Sequence, residues 1–120
     1  KIQSKHFINV IDPFLHLISP EAPKNVSRGR VPGIIRIKAN LLPRTERTFE
    51  HPLHTDFIYP NSKTAIFYLN TCNGYTRFED GSKVESVANR IVEFDCKTLH
   101  GGSTCTNAKV RSVINFNYWN

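Results

Sequence analysis

The chain has 120 residues, 39% of them hydrophobic and 22% charged, with a formal net charge of +6. That length supports one domain with a single modest core and is too short for two. No apolar run approaches the ~20 residues of a membrane helix, no secretory signal is visible, and three cysteines are too few for a disulfide scaffold.

The first segments in chain order are short apolar runs at Ile8–Ile11 and Phe14–Ile18, the first stopped by Asp12-Pro13 and the second by Pro20. Residues 21–33 read as a loop, flanked and interrupted by Pro20, Pro23 and Pro32. Ile34 to Leu42 alternates, with Ile35, Ile37 and Ala39 on one face and Arg36, Lys38 and Asn40 on the other, and Pro43 ends it. Charge is concentrated here. Between Lys24 and Arg47 there are seven basic residues and one acid, Glu46, so this stretch carries +6, while the other nine basic and nine acidic residues balance. Such a stretch is either a solvated face or an attractor for an anionic partner.

After a polar connection over residues 44–52, Leu53 to Tyr59 is predicted as a strand ended by Pro60-Asn61. Thr64 to Asn70, aromatic and β-branched, is predicted as a buried strand. Asn73-Gly74 signals a hairpin into Tyr75–Phe78, and Asp80-Gly81 a turn into Lys83–Val87. Strands at Arg90–Phe94 and Val110–Tyr118 complete the chain. Eight or so short strands with this punctuation predict an all-β sandwich or jelly roll. Cys72, Cys96 and Cys105 match no zinc-binding spacing and suit a reducing compartment; Cys72 and Cys96 read as small buried hydrophobes. A cytoplasmic location and a single domain over 1–120 are therefore expected. A chain that opens on Lys1 and lacks methionine is expected to have lost its native start.

The chemistry-bearing pattern is His54-x-Asp56, with His100 following 44 residues after Asp56 and Arg111 eleven after His100. On a strand, residues two apart share a face, so His54 and Asp56 would present their ligand atoms together. A histidine from a neighbouring strand would complete two imidazoles and one carboxylate, a facial set that leaves open positions on Fe(II). Arg111 adds a permanently charged fork suited to a carboxylate. Each residue alone has a blander reading: a chance loop pair, a turn histidine beside Gly101-Gly102, or an arginine in a structural ion pair. Their order and placement together favour the metal site. Arg111, Val113, Asn115 and Asn117 share one predicted strand face, and such a polar inner face is costly without a ligand. His51 would face away from His54, on the surface or in a loop, and His6 and His16 read as structural.

From Arg36 to Trp119 the chain resembles the catalytic core of prolyl-4-hydroxylase-like Fe(II)/2-oxoglutarate dioxygenases, and is similar to small members encoded by marine T4-like bacteriophages. The segments that carry the resemblance are His54-Thr55-Asp56-Phe57, Thr64–Asn70, Gly74–Gly81, Asn89–Asp95, His100 and Arg111–Phe116. It implies a double-stranded β-helix (a cupin-like jelly roll with little helix) and Fe(II) bound by His54, Asp56 and His100. Arg111 and Tyr68 would hold the distal carboxylate of 2-oxoglutarate, with Asn115 also on the cofactor side. The implied reaction consumes 2-oxoglutarate and O2, releases succinate and CO2, hydroxylates a substrate, and uses ascorbate as reductant. A peptidyl proline is the family-level substrate, and a phage protein would work in the host cytoplasm. Leu42 replaces the family tyrosine upstream of the His-x-Asp, and Asn73 replaces the first glycine of a Gly-Gly. The substrate itself stays open, with an acidic peptide or a nucleic acid suggested by the basic stretch. Two other readings stand beside this one: a Zn2+ hydrolase on the same ligands, needing a base such as Glu50 or Asp95, and a non-catalytic jelly-roll binding or virion module.

Overall fold

A computed structural model describes residues 33–56 and 59–119, and Ile34–Trp119 form a compact unit. The apolar runs expected near residues 8–18, His6, His16 and the basic residues before Gly33 lie outside the described residues. Among the described residues there are seven strands: β1 (Gly33–Pro43), β2 (Ser62–Tyr68), β3 (Tyr75–Phe78), β4 (Lys83–Glu85), β5 (Ile91–Asp95), β6 (His100–Gly102) and β7 (Val110–Trp119). Among the described residues no helix is long and apolar enough to cross a membrane.

The strands form a four-stranded sheet, β1-β7-β2-β5, and a three-stranded sheet, β4-β3-β6. Residues 49–54 run beside β6 and extend the smaller sheet through isolated bridges. The chain therefore crosses between sheets at most of its connections, and β2 with β5, β2 with β7, β3 with β4 and β3 with β6 all pair antiparallel. This is the jelly-roll winding that the strand pattern predicts, in the double-stranded β-helix form that the family resemblance implies.

β2 sets the interior. Its Ser62, Thr64, Ile66 and Tyr68 point one way and all are buried, as period-2 alternation requires. Register places Thr64 opposite Asn117, Ile66 opposite Asn115 and Tyr68 opposite Val113 on β7. Ile66, Tyr68 and Val113 form the core, flanked by Val84, Val92 and Phe94. Each fully buried aliphatic side chain contributes about 1.5–3 kcal/mol. The inner face is thus apolar in the middle and polar at both ends, and the polar ends carry the site.

Two expectations change. Asn73-Gly74 is not a hairpin turn, because β2 and β3 belong to different sheets. It is a corner between them, held where the Asn73 side chain donates to Thr106 Oγ1 (2.7 Å) and accepts from Thr106 N (2.9 Å). Leu53–Tyr59 is not a regular strand either: of its described residues only His54 makes a bridge, to His100. The turns at Pro60-Asn61 and Asp80-Gly81 form as predicted, with φ of 63° at Asn61 and 89° at Gly81. The three buried cysteines are free thiols.

Candidate metal centre

The irregular segment before β2 has a physical cause. Glu50 faces Ser103 and His54 faces His100, so four steps on one side match three on the other, a one-residue bulge. Pro52 sits in it without an N–H to offer a ladder. Gly101 lies opposite, where a Cβ would stand 2.8 Å from His51 O and 3.0 Å from Pro52 O, too close for any side chain. The Arg77 guanidinium donates to His51 O at 3.0 Å. Arg77 also pairs with Glu50, which accepts from Tyr75 Oη at 2.5 Å. Bulges re-aim side chains, and this one turns His54 toward His100 while leaving His51 out of the cluster.

The expected ligands meet. His54, Asp56 and His100 offer atoms that all lie within 4.8 Å of one another. Asp56 Oδ1 is 3.6 Å from His54 Nε2 and 3.4 Å from His100 Nε2. Donors about 2.1 Å from one ion and at right angles would stand about 3 Å apart, so little movement separates this arrangement from a bound one. The outer nitrogens are engaged: His100 Nδ1 lies 2.9 Å from Thr98 O, and His54 Nδ1 lies 3.3 Å from Pro52 O. A carbonyl partner fixes the proton on Nδ1 and leaves the Nε2 lone pair for a metal. His100 Nε2 is buried, and Asp56 Oδ1 is the polar atom it faces, at 3.4 Å.

Asp56 is oriented by two residues the sequence pattern did not single out as site residues. Its Oδ2 accepts from Thr64 Oγ1 and Asn117 Nδ2, both at 3.0 Å, and Asn117 Nδ2 also donates to Thr64 at 2.9 Å. One carboxylate oxygen is thereby occupied and the other is left facing the imidazoles. Asn117 is held in turn by Arg36 Nε at 3.2 Å. The signal for Thr64 and Asn117 was their shared inner-face parity with Ile66 and Asn115, but only the register between β2 and β7 brings them to Asp56.

Burial pushes the Asp56 carboxyl up, but hydrogen bonds from His100 and Asn117, the His100 charge and the Thr64 hydroxyl outweigh it, holding Asp56 well below the usual carboxylate range. Burial pulls His100 down, yet the Asp56 hydrogen bond, the Thr98 carbonyl and the Asp56 charge raise it above its ordinary 6.5. The signs give a prediction. In the metal-free protein the His100 contribution is complete below pH 6.5 and is lost as pH rises through the raised value. The Asp56 contribution is present above its ordinary 3.8 and is lost as pH falls. Metal needs the neutral imidazole, so its affinity should rise over the range where the metal-free protein weakens. The Tm gap with and without Mn(II) is expected to widen from pH 6 to pH 8. A gap independent of pH would remove His100 from the ligand set.

Arg111 lies at the other end of the inner face. It is 3% exposed, donating through Nε to Ser86 Oγ (2.7 Å), and through its terminal nitrogens to Thr76 Oγ1 (3.2 Å) and Ser103 O (3.3 Å). No carboxylate among the described residues pairs with it. Burial lowers its pKa. Two glycines make room: a Cβ on Gly74 would stand 2.5 Å from Arg111 Cδ, and one on Gly102 3.1 Å from Arg111 Nη1. Gly102 is two residues from His100 along β6, roughly 6.6 Å of strand. Tyr68 packs under the guanidinium, 5.6 Å from ring centre to Cζ, and donates to Thr76 Oγ1 at 2.8 Å. Asn115, between Arg111 and Asn117, has a buried Oδ1 with no hydrogen-bond partner among the described residues. The His100 ring meets Phe94 at 4.6 Å, and Phe94 also lines an open cavity with Phe78, Leu99, Glu79, Asp80 and Lys97.

No protein-family model matches the chain, and no curated protein matches it in sequence. Solved structures do. The chain is similar to an RmlC-like cupin protein from Desulfovibrio desulfuricans (15% identity, 68% of this chain and 81% of that one, TM-score 0.44). It is also similar to a cupin protein from Bacteroides fragilis (12% identity, 82% and 85%, TM-score 0.49). A third is HppE in its Fe(II) form (11% identity, 82% and 57%, TM-score 0.46). These likenesses concern the fold alone.

Proposed function

We propose that the protein is an Fe(II)- and 2-oxoglutarate-dependent oxygenase. The observation that carries this reading is a buried guanidinium with no carboxylate partner among the described residues, its Nη1 beside Gly102, two residues along β6 from His100 of a His-Asp-His cluster. His54, Asp56 and His100 would hold Fe(II), which with 2-oxoglutarate and O2 supplies oxidative decarboxylation and substrate hydroxylation. Thr64 and Asn117 keep Asp56 ionised and presented through one oxygen. The carbonyls of Thr98 and Pro52 hold the imidazoles with Nε2 inward. Arg111 receives the distal carboxylate of 2-oxoglutarate, with Tyr68 beneath it and Gly102 leaving space beside it. Asn115 lines the path between, its orphaned Oδ1 available to a donor on a bound molecule. Leu42, half-buried on β1, has an apolar side chain that supplies no polar contact in place of the family tyrosine. A peptidyl-proline substrate and a phage origin rest on the motif resemblance alone.

The hydrolytic reading loses its base. The Glu50 carboxylate is engaged by Tyr75, Arg77 and Lys83, and Asp95 is exposed on β5 and caps Lys97 N. The test is thermal unfolding with Mn(II), with and without 2-oxoglutarate, alongside succinate formation with Fe(II), ascorbate and O2. A ligand at 100 times its dissociation constant stabilises by about 2.7 kcal/mol, several degrees for a domain of this size. A metal shift without a 2-oxoglutarate shift would reject the oxygenase, and no response to either would leave a binding module.

A further inference from the structure

The face of the large sheet that carries Asn117 does not end at the metal. Arg36 reaches Asn117 from β1, so Arg36 lies on that face, and alternation places Lys38 and Asn40 there too. The polar side of β1, whose inward or outward placement the alternation leaves open, thus continues the site's own face onto β1, the last strand on that side of the sheet among the described residues. Arg36 and Lys38 are exposed and have no carboxylate partner among the described residues. The Asn117 bond uses only Nε of Arg36, so its two terminal nitrogens keep their geometry for an incoming oxyanion.

Along β7 in the other direction, alternation puts Trp119 on the face of Asn117. Its ring meets Tyr59 at 5.2 Å between centres, tilted by 50°. Both rings are open to solvent, at 43% for Trp119 and 39% for Tyr59. Exposed aromatic area beside cationic groups is the combination that holds single-stranded nucleic acid: phosphates on the charges and bases on the rings. Here the cations and the tryptophan share the sheet face of Asn117, the residue that orients Asp56. An acidic peptide would use the charges but leave the aromatic pair without a role.

From this arrangement we infer that the substrate is a single-stranded nucleic acid, its phosphates taken by Arg36 and Lys38 and a base stacked on the Trp119–Tyr59 pair. The inference rests on the oxygenase reading for what happens at the metal, but not for the binding. Trp119 is the sole tryptophan, so its fluorescence reports directly on the proposed platform.

The experiment titrates the full chain with a ten-nucleotide oligothymidylate, its duplex with oligoadenylate, and a ten-residue polyglutamate peptide, with and without Mn(II) and 2-oxoglutarate. The expected result is quenching of Trp119 by the single strand, weaker binding of the duplex, and no quenching by polyglutamate. Affinity should fall with salt, and Arg36→Gln should flatten the log–log slope by about 0.7, one phosphate contact on a single strand. By anisotropy of a labelled oligothymidylate, Trp119→Ala should weaken binding about five- to a hundredfold and Trp119→Phe should restore most of it. Equal affinity and slope in wild type and Arg36→Gln, or polyglutamate binding as tightly as oligothymidylate, would overturn the inference. Failure to bind with the 2-oxoglutarate shift intact overturns the substrate class alone. Binding without that shift supports the nucleic-acid surface and rejects the oxygenase chemistry.

Discussion

Replacing Arg111 with methionine is expected to abolish the 2-oxoglutarate-dependent rise in Tm while leaving the Mn(II)-dependent rise in place. The stability of the metal-free protein should change little, for a reason specific to this site. Arg111 is buried without a carboxylate among the described residues, so the native protein bears the desolvation of an unpaired cation. A methionine of similar volume removes that cost. Against it stand the lost hydrogen bonds to Ser86 and Thr76, an unsatisfied buried group costing about 1–3 kcal/mol. The two effects oppose, and the net is expected within about 2 kcal/mol of wild type. An arginine kept for folding would behave differently, with the variant losing several kcal/mol and its metal response together. Gly74→Ala gives a companion test, because its new Cβ would strike Arg111 Cδ and displace the fork without removing it. Its 2-oxoglutarate affinity should fall while Mn(II) affinity holds.

Where sequence reading succeeded, one periodicity was enough. β1, β2, β5 and β7 each show an alternating or buried pattern, and they lie within one or two residues of their expected bounds. The ligand set was legible because His-x-Asp, a distant histidine and an arginine form a spaced pattern that survives without knowing the register. The failures are long-range. Asn73-Gly74 carries the local chemistry of a hairpin, but the partner of the next strand is chosen by the packing of two sheets, which no dipeptide encodes. Leu53–Tyr59 has the residue types of a strand, yet Pro52 removes a donor and the chain bulges against Gly101. Thr64 and Asn117 look like ordinary polar residues until register sets them opposite each other beside Asp56. Arg36 was grouped with Lys38 and Asn40, but alternation fixes which residues share a side and says nothing about which side is inside.

The largest effect on metal binding is expected from Asp56→Asn, and its comparison with Asn117→Ala separates a ligand from the residue that orients it. The amide keeps the shape of the carboxylate and can still reach Thr64, so the fold should persist. It removes the negative oxygen that faces both imidazoles, at 3.4 and 3.6 Å. Asn117→Ala leaves that oxygen but frees the carboxylate to rotate, and loss of such an outer partner typically costs about 10–100-fold in metal affinity. Mn(II) titration should therefore show a graded loss in Asn117→Ala, rescued in part by excess metal. Asp56→Asn should lose more, beyond rescue, with Fe(II)-dependent succinate formation abolished. His100 offers an internal check, because the hydrogen bond and charge that raise its pKa come chiefly from Asp56. In Asp56→Asn the His100 titration followed by NMR should move down, as burial then acts without its counterweight. Asp56→Asn that still turned over 2-oxoglutarate, or that bound Mn(II) as well as Asn117→Ala, would remove Asp56 from the ligand set and leave its hydrogen bonds a purely structural role.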